Sequence, residues 1–311
     1  MIQKTLFYLA TGIRGFCMGA ADVVPGVSGG TMAFILGIYE ELLEAIRSFD
    51  LRFLRLALKF RFQEAFESTA WRFLLALLAG IFLAIFSLAK LLSWLLYHQP
   101  ALIWSFFFGL ILASVYTVSR HLEKWGPALV LWMLLGALGT YVLVGLVPVS
   151  APHTPLFLFL SGSVAICAMI LPGISGAFVL VLLGQYAYVL EAVNNRDFLT
   201  LLIVAAGAGV GILSFVRFLN WLLKKFHDPT MALMTGLMLG ALRKIWPWKQ
   251  TLEGVLGDQG KTASLYQVNV LPSSWGREVF VALCLMALGF LIVFSMNWWS
   301  TQKARPPAPL K

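Results

Sequence analysis

The chain has 311 residues, of which 60% are hydrophobic and only 12% charged, with a formal net charge of +9. That composition excludes an ordinary soluble domain and predicts an all-α, polytopic membrane protein. The basic excess lies mainly at the ends of apolar segments, where it sets orientation, and nothing matches a base-reading module, so no nucleic-acid partner is expected.

The N-terminal run MIQKTLFYLATGIRGF is apolar but broken by Arg14, and it lacks a small-residue cleavage site. It is expected to stay in the mature protein. It leads into ADVVPGVSGGTMAFILGIYEELLEAI, residues 21–46. Pro25 cannot continue a helix and Gly26 tolerates unusual backbone, so one half-helix should end here and another begin. Non-helical backbone at membrane depth survives only where it is buried or lines a polar cavity. The N–H groups and hydroxyls of Ser28, Gly29, Gly30 and Thr31 would then face such a cavity at a helix N-terminus, a ready site for an anion such as phosphate. Close helix packing by small residues is the plainer alternative. A carboxylate within the membrane is expensive, which makes Asp22 a candidate coupling or gating group, or else a cap on the second half-helix. Glu44 closes the unit in the same candidate role, and Arg14 is a candidate phosphate counter-ion unless it snorkels to the surface.

Residues 47–70 alternate basic and apolar positions at helical spacing, which predicts a helix lying in the interface against anionic lipid. Three spans follow at 72–97, 101–119 and 127–149, each long enough to cross a hydrocarbon core of about 30 Å. The motif then returns as LPGISGAFVLVLLGQYAYVLEAV, residues 171–193. At an offset of 147, Pro172, Gly173, Ser175, Gly176 and Glu191 match Pro25, Gly26, Ser28, Gly29 and Glu44, and 10 of 22 positions are identical. Met169 stands opposite Asp22, so the copies are not equivalent. Spans at 198–223, a weaker 229–245 and 277–299 complete the chain. GLMLGAL at 236–242 echoes GLILASV at 109–115 at an offset of 127, so the first half carries 20 more residues, placed at 47–70.

With the basic segment cytoplasmic and both motifs re-entrant, each half makes three crossings. The halves therefore have opposite orientation, as in inverted-repeat transporters with broken helices at the midplane. The first repeat is 1–149, with its re-entrant unit at 5–46. The second is 150–311, with its re-entrant unit at 155–193, an external loop at 246–276 and a cytoplasmic tail; both termini are expected in the cytoplasm. Arg243, beside the second landmark in LRKIWPWK, would attract a headgroup on the outer side or anchor the interface with Trp246 and Trp248.

The blocks MGAADVVPGVSGGTMAFILGIYE, LPGISGAFVLVLLGQY, FFFGLILASV and GLMLGALRKIWPWK resemble the bacterial polyprenyl-phosphate transporters over nearly the whole chain. The resemblance implies translocation of undecaprenyl phosphate, the lipid carrier of cell-wall sugars, across the cytoplasmic membrane for reuse. It implies a polyprenyl phosphate as partner; protons or sodium are candidate coupling ions from the carboxylates themselves, Asp22 or a Glu. Ala177 and Phe178 replace Gly30 and Thr31 in the second copy, which argues against a symmetrical phosphate cage. The nearest enzyme alternative is a membrane-embedded undecaprenyl-diphosphate phosphatase. Those enzymes place Arg after the motif serine, where this chain has Gly29 and Gly176, and use a His near the other copy's serine, whereas His98, His121, His153 and His227 all fall in predicted loops here. A channel or transporter for a small soluble anion is the other alternative. Cys17, Cys167 and Cys284 are far apart and no nucleotide loop is present, so neither cofactor nor metal is expected.

Overall fold

The computed structural model describes residues 2–24, 27–120, 122, 125–146, 148–149, 151–252, 266–272 and 274–303. Fourteen helices and a two-stranded ribbon occur among them. Pro25 and Gly26, for which a helix break is expected, lie outside the described residues. In the first half, α1 (Ile2–Asp22) is followed by the short α2 (Gly29–Ile35) and α3 (Tyr39–Arg47). The long α6 (Trp71–His98), α7 (Pro100–Ser119) and α8 (Pro127–Val144) follow at the expected spans. The second half repeats this order with α9 (Pro155–Ile170), α10 (Gly176–Leu182), α11 (Tyr186–Asn194), α12 (Phe198–Lys225), α13 (His227–Ala241) and α14 (Arg277–Lys303). Five of the long helices are apolar and long enough to cross a membrane, and a bent pair, α10 with α11 at 108°, would make a sixth. The chain is a multi-pass helical membrane protein.

Local chemistry sets the helix starts. Proline occupies the first turn of α7, α8 and α9, where its missing N–H has no helical acceptor to lose. Asp197 caps α12 by accepting from the Thr200 N–H at 3.2 Å, and the Thr200 hydroxyl, donating at 2.7 Å, together with that contact holds its carboxyl below the usual range. At the other end of the short helices, Gly37 and Gly184 take φ of 66° and 65°, so α2 and α10 end in the same left-handed turn.

Two expectations need correction. Residues 47–70 form two short helices, α4 (Leu51–Leu58) and α5 (Phe62–Glu67), rather than one. The chain turns between them at Phe60, whose φ is 56°. The region 246–276 is not simply a loop: β1 (Lys249–Leu252) pairs antiparallel with β2 (Tyr266–Asn269), with Gln250 opposite Val268.

Packing follows one scheme in both halves: α1 lies on α6 and α9 on α12, while α7 lies on α14 and α13 on α8. Without a hydrophobic drive between helices in lipid, close backbone approach carries such contacts, and glycine permits it. A Cβ on Gly80 would come within 2.0 Å of the Gly12 carbonyl oxygen, and one on Gly207 within 1.9 Å of the Phe159 oxygen. Gly109 meets the Met286 oxygen at 1.9 Å and Gly236 the Met133 oxygen at 2.0 Å by the same measure. Gly80 and Gly207, and likewise Gly109 and Gly236, are related by the offset of 127 read from the sequence. One core cluster runs through both halves, from Met18 and Leu77 to Ile170, Leu219 and Met238.

Candidate functional site

The two motifs meet back to back. Ser28 caps α2 and is 1% exposed; its hydroxyl accepts from the Gly30 N–H at 3.1 Å and donates to the Met169 carbonyl, also at 3.1 Å. The Gly29 N–H donates to Asp22 Oδ1 at 2.6 Å. The Gly173 N–H donates to Thr31 Oγ1 at 2.8 Å, and the Tyr39 hydroxyl donates to the Ile170 carbonyl at 3.1 Å. The last carbonyls of α9 are thus satisfied by hydroxyls from the other half, as a buried helix end requires. Gly30 leaves no room to spare, since a Cβ there would sit 2.6 Å from the Ile170 oxygen. Free donors were expected at the first motif. Here the N–H groups of Gly29 and Gly30 already have acceptors.

The second motif is arranged differently. Ser175 makes no capping bond to α10, and it lines a cavity of about 1000 Å³. Asp22 and Val23 at the end of α1 form one wall, Phe178 and Tyr186 another, and Arg243, Lys244 and Lys249 a third. The side chains of these cations are held by their neighbours. Arg243 Nη1 donates to the Tyr141 carbonyl at 2.7 Å with its guanidinium 4.2 Å from the Tyr141 ring centroid. Lys244 Nζ lies 5.1 Å from the Phe178 ring and Lys249 Nζ 4.6 Å from the Trp104 ring. Lys249 Nζ also donates to the Lys244 carbonyl. The ribbon fixes this wall: Asn269 Nδ2 donates to the Arg243 carbonyl at 2.8 Å, and Trp246 Nε1 donates to the Val270 carbonyl at 2.9 Å.

Three cations facing one carboxylate make the cavity formally cationic. Burial, and then the neighbouring charge of Lys244, pushes Lys249 down to about 8. A group that is costly to keep charged gains most from an anionic partner. A phosphate monoester, carrying about −1.5 to −2 charges near neutral pH, is the complementary species. Among the described residues, no three His, Cys, Asp or Glu side chains are grouped to hold a metal ion.

A family model described as undecaprenyl phosphate translocase-like matches residues 18–263. The chain belongs to that family. It is 45% identical over 303 residues to a polyprenyl-phosphate transporter of Vibrio cholerae, spanning 96% of this chain and 98% of the other. A polyprenyl-phosphate transporter of Staphylococcus aureus is 30% identical over 256 residues, spanning 76% of this chain and 85% of its own. No solved structure matches the chain.

In this translocase-like chain, Asp22, Ser175 and Arg243 line one cavity, and Ser28, Gly29, Gly30 and Thr31 are buried directly behind its Asp22 wall. Gly176 packs on the Ala165 carbonyl, Pro172 is buried, and Gly173 takes a φ of 89° at the break. Arg14 lies on α1, outside the cavity lining. Glu44 stands 3.5 Å from Lys224, on α12, and Glu191 is exposed on α11; neither lines the cavity. Sequence reasoning missed Lys249. A lysine beside two tryptophans reads as an interface anchor, and only the return of β2 turns it into a cavity wall.

Proposed function

We propose that this chain translocates undecaprenyl phosphate across the bacterial cytoplasmic membrane by alternating access. The observation that carries the reading is the cationic cavity of Arg243, Lys244 and Lys249, which faces Ser175 and Asp22 at the meeting of the two broken-helix units. The relatives are named polyprenyl-phosphate transporters, which supports that substrate and a transporter rather than an enzyme. Recurrence of the glycine contacts in both halves supports two repeats, 1–149 and 150–311, of opposite orientation.

The two ends of the molecule support a state open to the outside. The cavity lies at the end that bears the ribbon, which charge distribution assigns to the exterior. At the opposite end α3 lies on α12. There Arg47 donates to Asn220 at 3.1 Å, and Glu40 and Glu44 approach His227 and Lys224 at 3.7 and 3.5 Å. The repeat offset supplies the opposite state. Tyr186 corresponds to Tyr39 and Val23 to Ile170, and both Tyr186 and Val23 line the cavity. Tyr39 is 4% exposed in its bond to Ile170, whereas Tyr186 is 43% exposed. Closing Tyr186 onto the Val23 carbonyl would seal the cavity from outside while α3 parts from α12. Asp22, between the phosphate and the buried motif, is the proposed coupling carboxylate for protons or sodium.

The test is exchange of a fluorescent polyprenyl phosphate between leaflets of proteoliposomes. Wild type should exceed protein-free vesicles, and Arg243→Gln/Lys249→Gln should lose at least about 100-fold in affinity, since each charge-assisted contact contributes roughly 1.5–3 kcal/mol. Exchange equal to protein-free vesicles would sink the reading. Release of inorganic phosphate from the diphosphate lipid would turn it to the enzyme.

A further inference from the structure

An apolar groove of about 430 Å³ adjoins the cationic cavity and shares Leu146 and Leu182 with it. It runs between Leu143 at the C-terminal end of α8, with Leu146 just beyond it, and the α9–α10 pair, represented by Val164, Ala168 and Val179. All its lining side chains are aliphatic, with no aromatic ring and no hydroxyl among them. Helix α8 packs on α13 rather than on α9 or α10. The groove is the gap that remains, spanned by one backbone bond from the Val149 N–H to the Leu182 carbonyl at 2.9 Å. Its mouth is open, with Leu146, just past the end of α8, 52% exposed and Val164, on the apolar helix α9, 51% exposed.

We propose that this groove seats the first isoprenoid units of the lipid whose phosphate occupies the cationic cavity, so that the tail leaves sideways into the bilayer between α8 and α9. The inference rests on the reading of the cavity as a lipid-phosphate site. A charged compartment that shares two lining leucines with a hydrocarbon one matches an amphiphile with its phosphate joined to a branched chain. A sugar would require polar or aromatic groups in the second compartment, and a free anion would leave it unused. The shared residues Leu146 and Leu182 are the place where headgroup chemistry gives way to tail chemistry. The phosphate can then cross in the shielded cavity while the chain stays in lipid.

Photocrosslinking in nanodiscs tests this, using a polyprenyl phosphate that carries a diazirine in the isoprene unit next to the phosphate. Label should fall on Leu146, Val164 or Leu183 and disappear under excess unlabelled lipid. Ala168→Phe, which fills the groove, should weaken the long-chain phosphate at least tenfold and leave competition by ethyl phosphate unchanged. Val164→Trp, at the exposed mouth, reads the same effect without a demand on the core. Competed label on another face, with long-chain affinity unchanged in Val164→Trp, would overturn the groove and leave the phosphate site standing. Absence of any competed label, together with no binding of either phosphate, would remove the site reading and the groove with it.

Discussion

The two half-helix ends share the Pro-Gly-x-Ser-Gly pattern yet do opposite work. At α2 the amide donors and the serine hydroxyl are used inside the protein, by Asp22, by Ser28 itself and by the end of α9. At α10 the serine faces a cavity walled by cations. The difference teaches that a repeated motif need not be a repeated site. One copy here braces the seam between the halves, and the other faces the cavity.

The sharpest way to break that comparison is to remove each serine. Ser28→Ala deletes two buried hydrogen bonds and should lower folding stability by roughly 1–3 kcal/mol, seen as a clear fall in Tm in detergent. Ser175→Ala should leave Tm within error and weaken phosphate binding instead. Equal thermal losses would mean that the two ends are structurally equivalent after all. Asp22 divides the same way. Asp22→Ala leaves the Gly29 N–H without its acceptor and should destabilise by about 1 kcal/mol, whereas Asp22→Asn keeps an acceptor oxygen and should preserve Tm. If Asp22→Asn also left transport and its pH dependence unchanged, the coupling role would fail.

A smaller effect comes from Lys249, pushed down to about 8 by burial and by Lys244. An anion favours the charged form, so binding raises that value. Affinity should be level between about pH 7, where the phosphate is already largely dianionic, and pH 8, and fall above that until the value in the complex is passed, by about tenfold or less. Lys249→Arg should flatten that profile, and an unchanged profile would place the titration elsewhere. The smallest effect belongs to Glu44. Its side chain and that of Lys224 are 62% and 60% exposed, so screening limits the pair to under about 1 kcal/mol. Glu44→Gln should shift the inward–outward balance no more than about fivefold, measured by cysteine accessibility at α3.

The spans were legible because long apolar runs have one solution in a bilayer, and α6, α7, α8 and α12 fall where hydropathy puts them. The split between α4 and α5 was not legible. Neither Pro nor Gly marks it, and the helical period of residues 51–67 runs on through the turn at Phe60. The small ribbon was hidden for a related reason: strands of four residues are too short to show alternation. At the site, the motif pointed to Asp22 and Ser175, and the landmark pointed to Arg243. Which serine would be free was beyond it, because near-identical copies differ here through what packs on them.

The bonds that tie Ser28 to Met169 and Thr31 to Gly173 link residues 141 and 142 positions apart. A ribosome adding about 5–20 residues per second leaves the first unit without those partners for on the order of ten seconds. During that interval the newly inserted N-terminal half holds hydroxyls destined for a helix that has not yet been made. Biogenesis, rather than the finished fold, is where an insertion chaperone would be felt most, and a chain truncated before α9 should be cleared by membrane proteases.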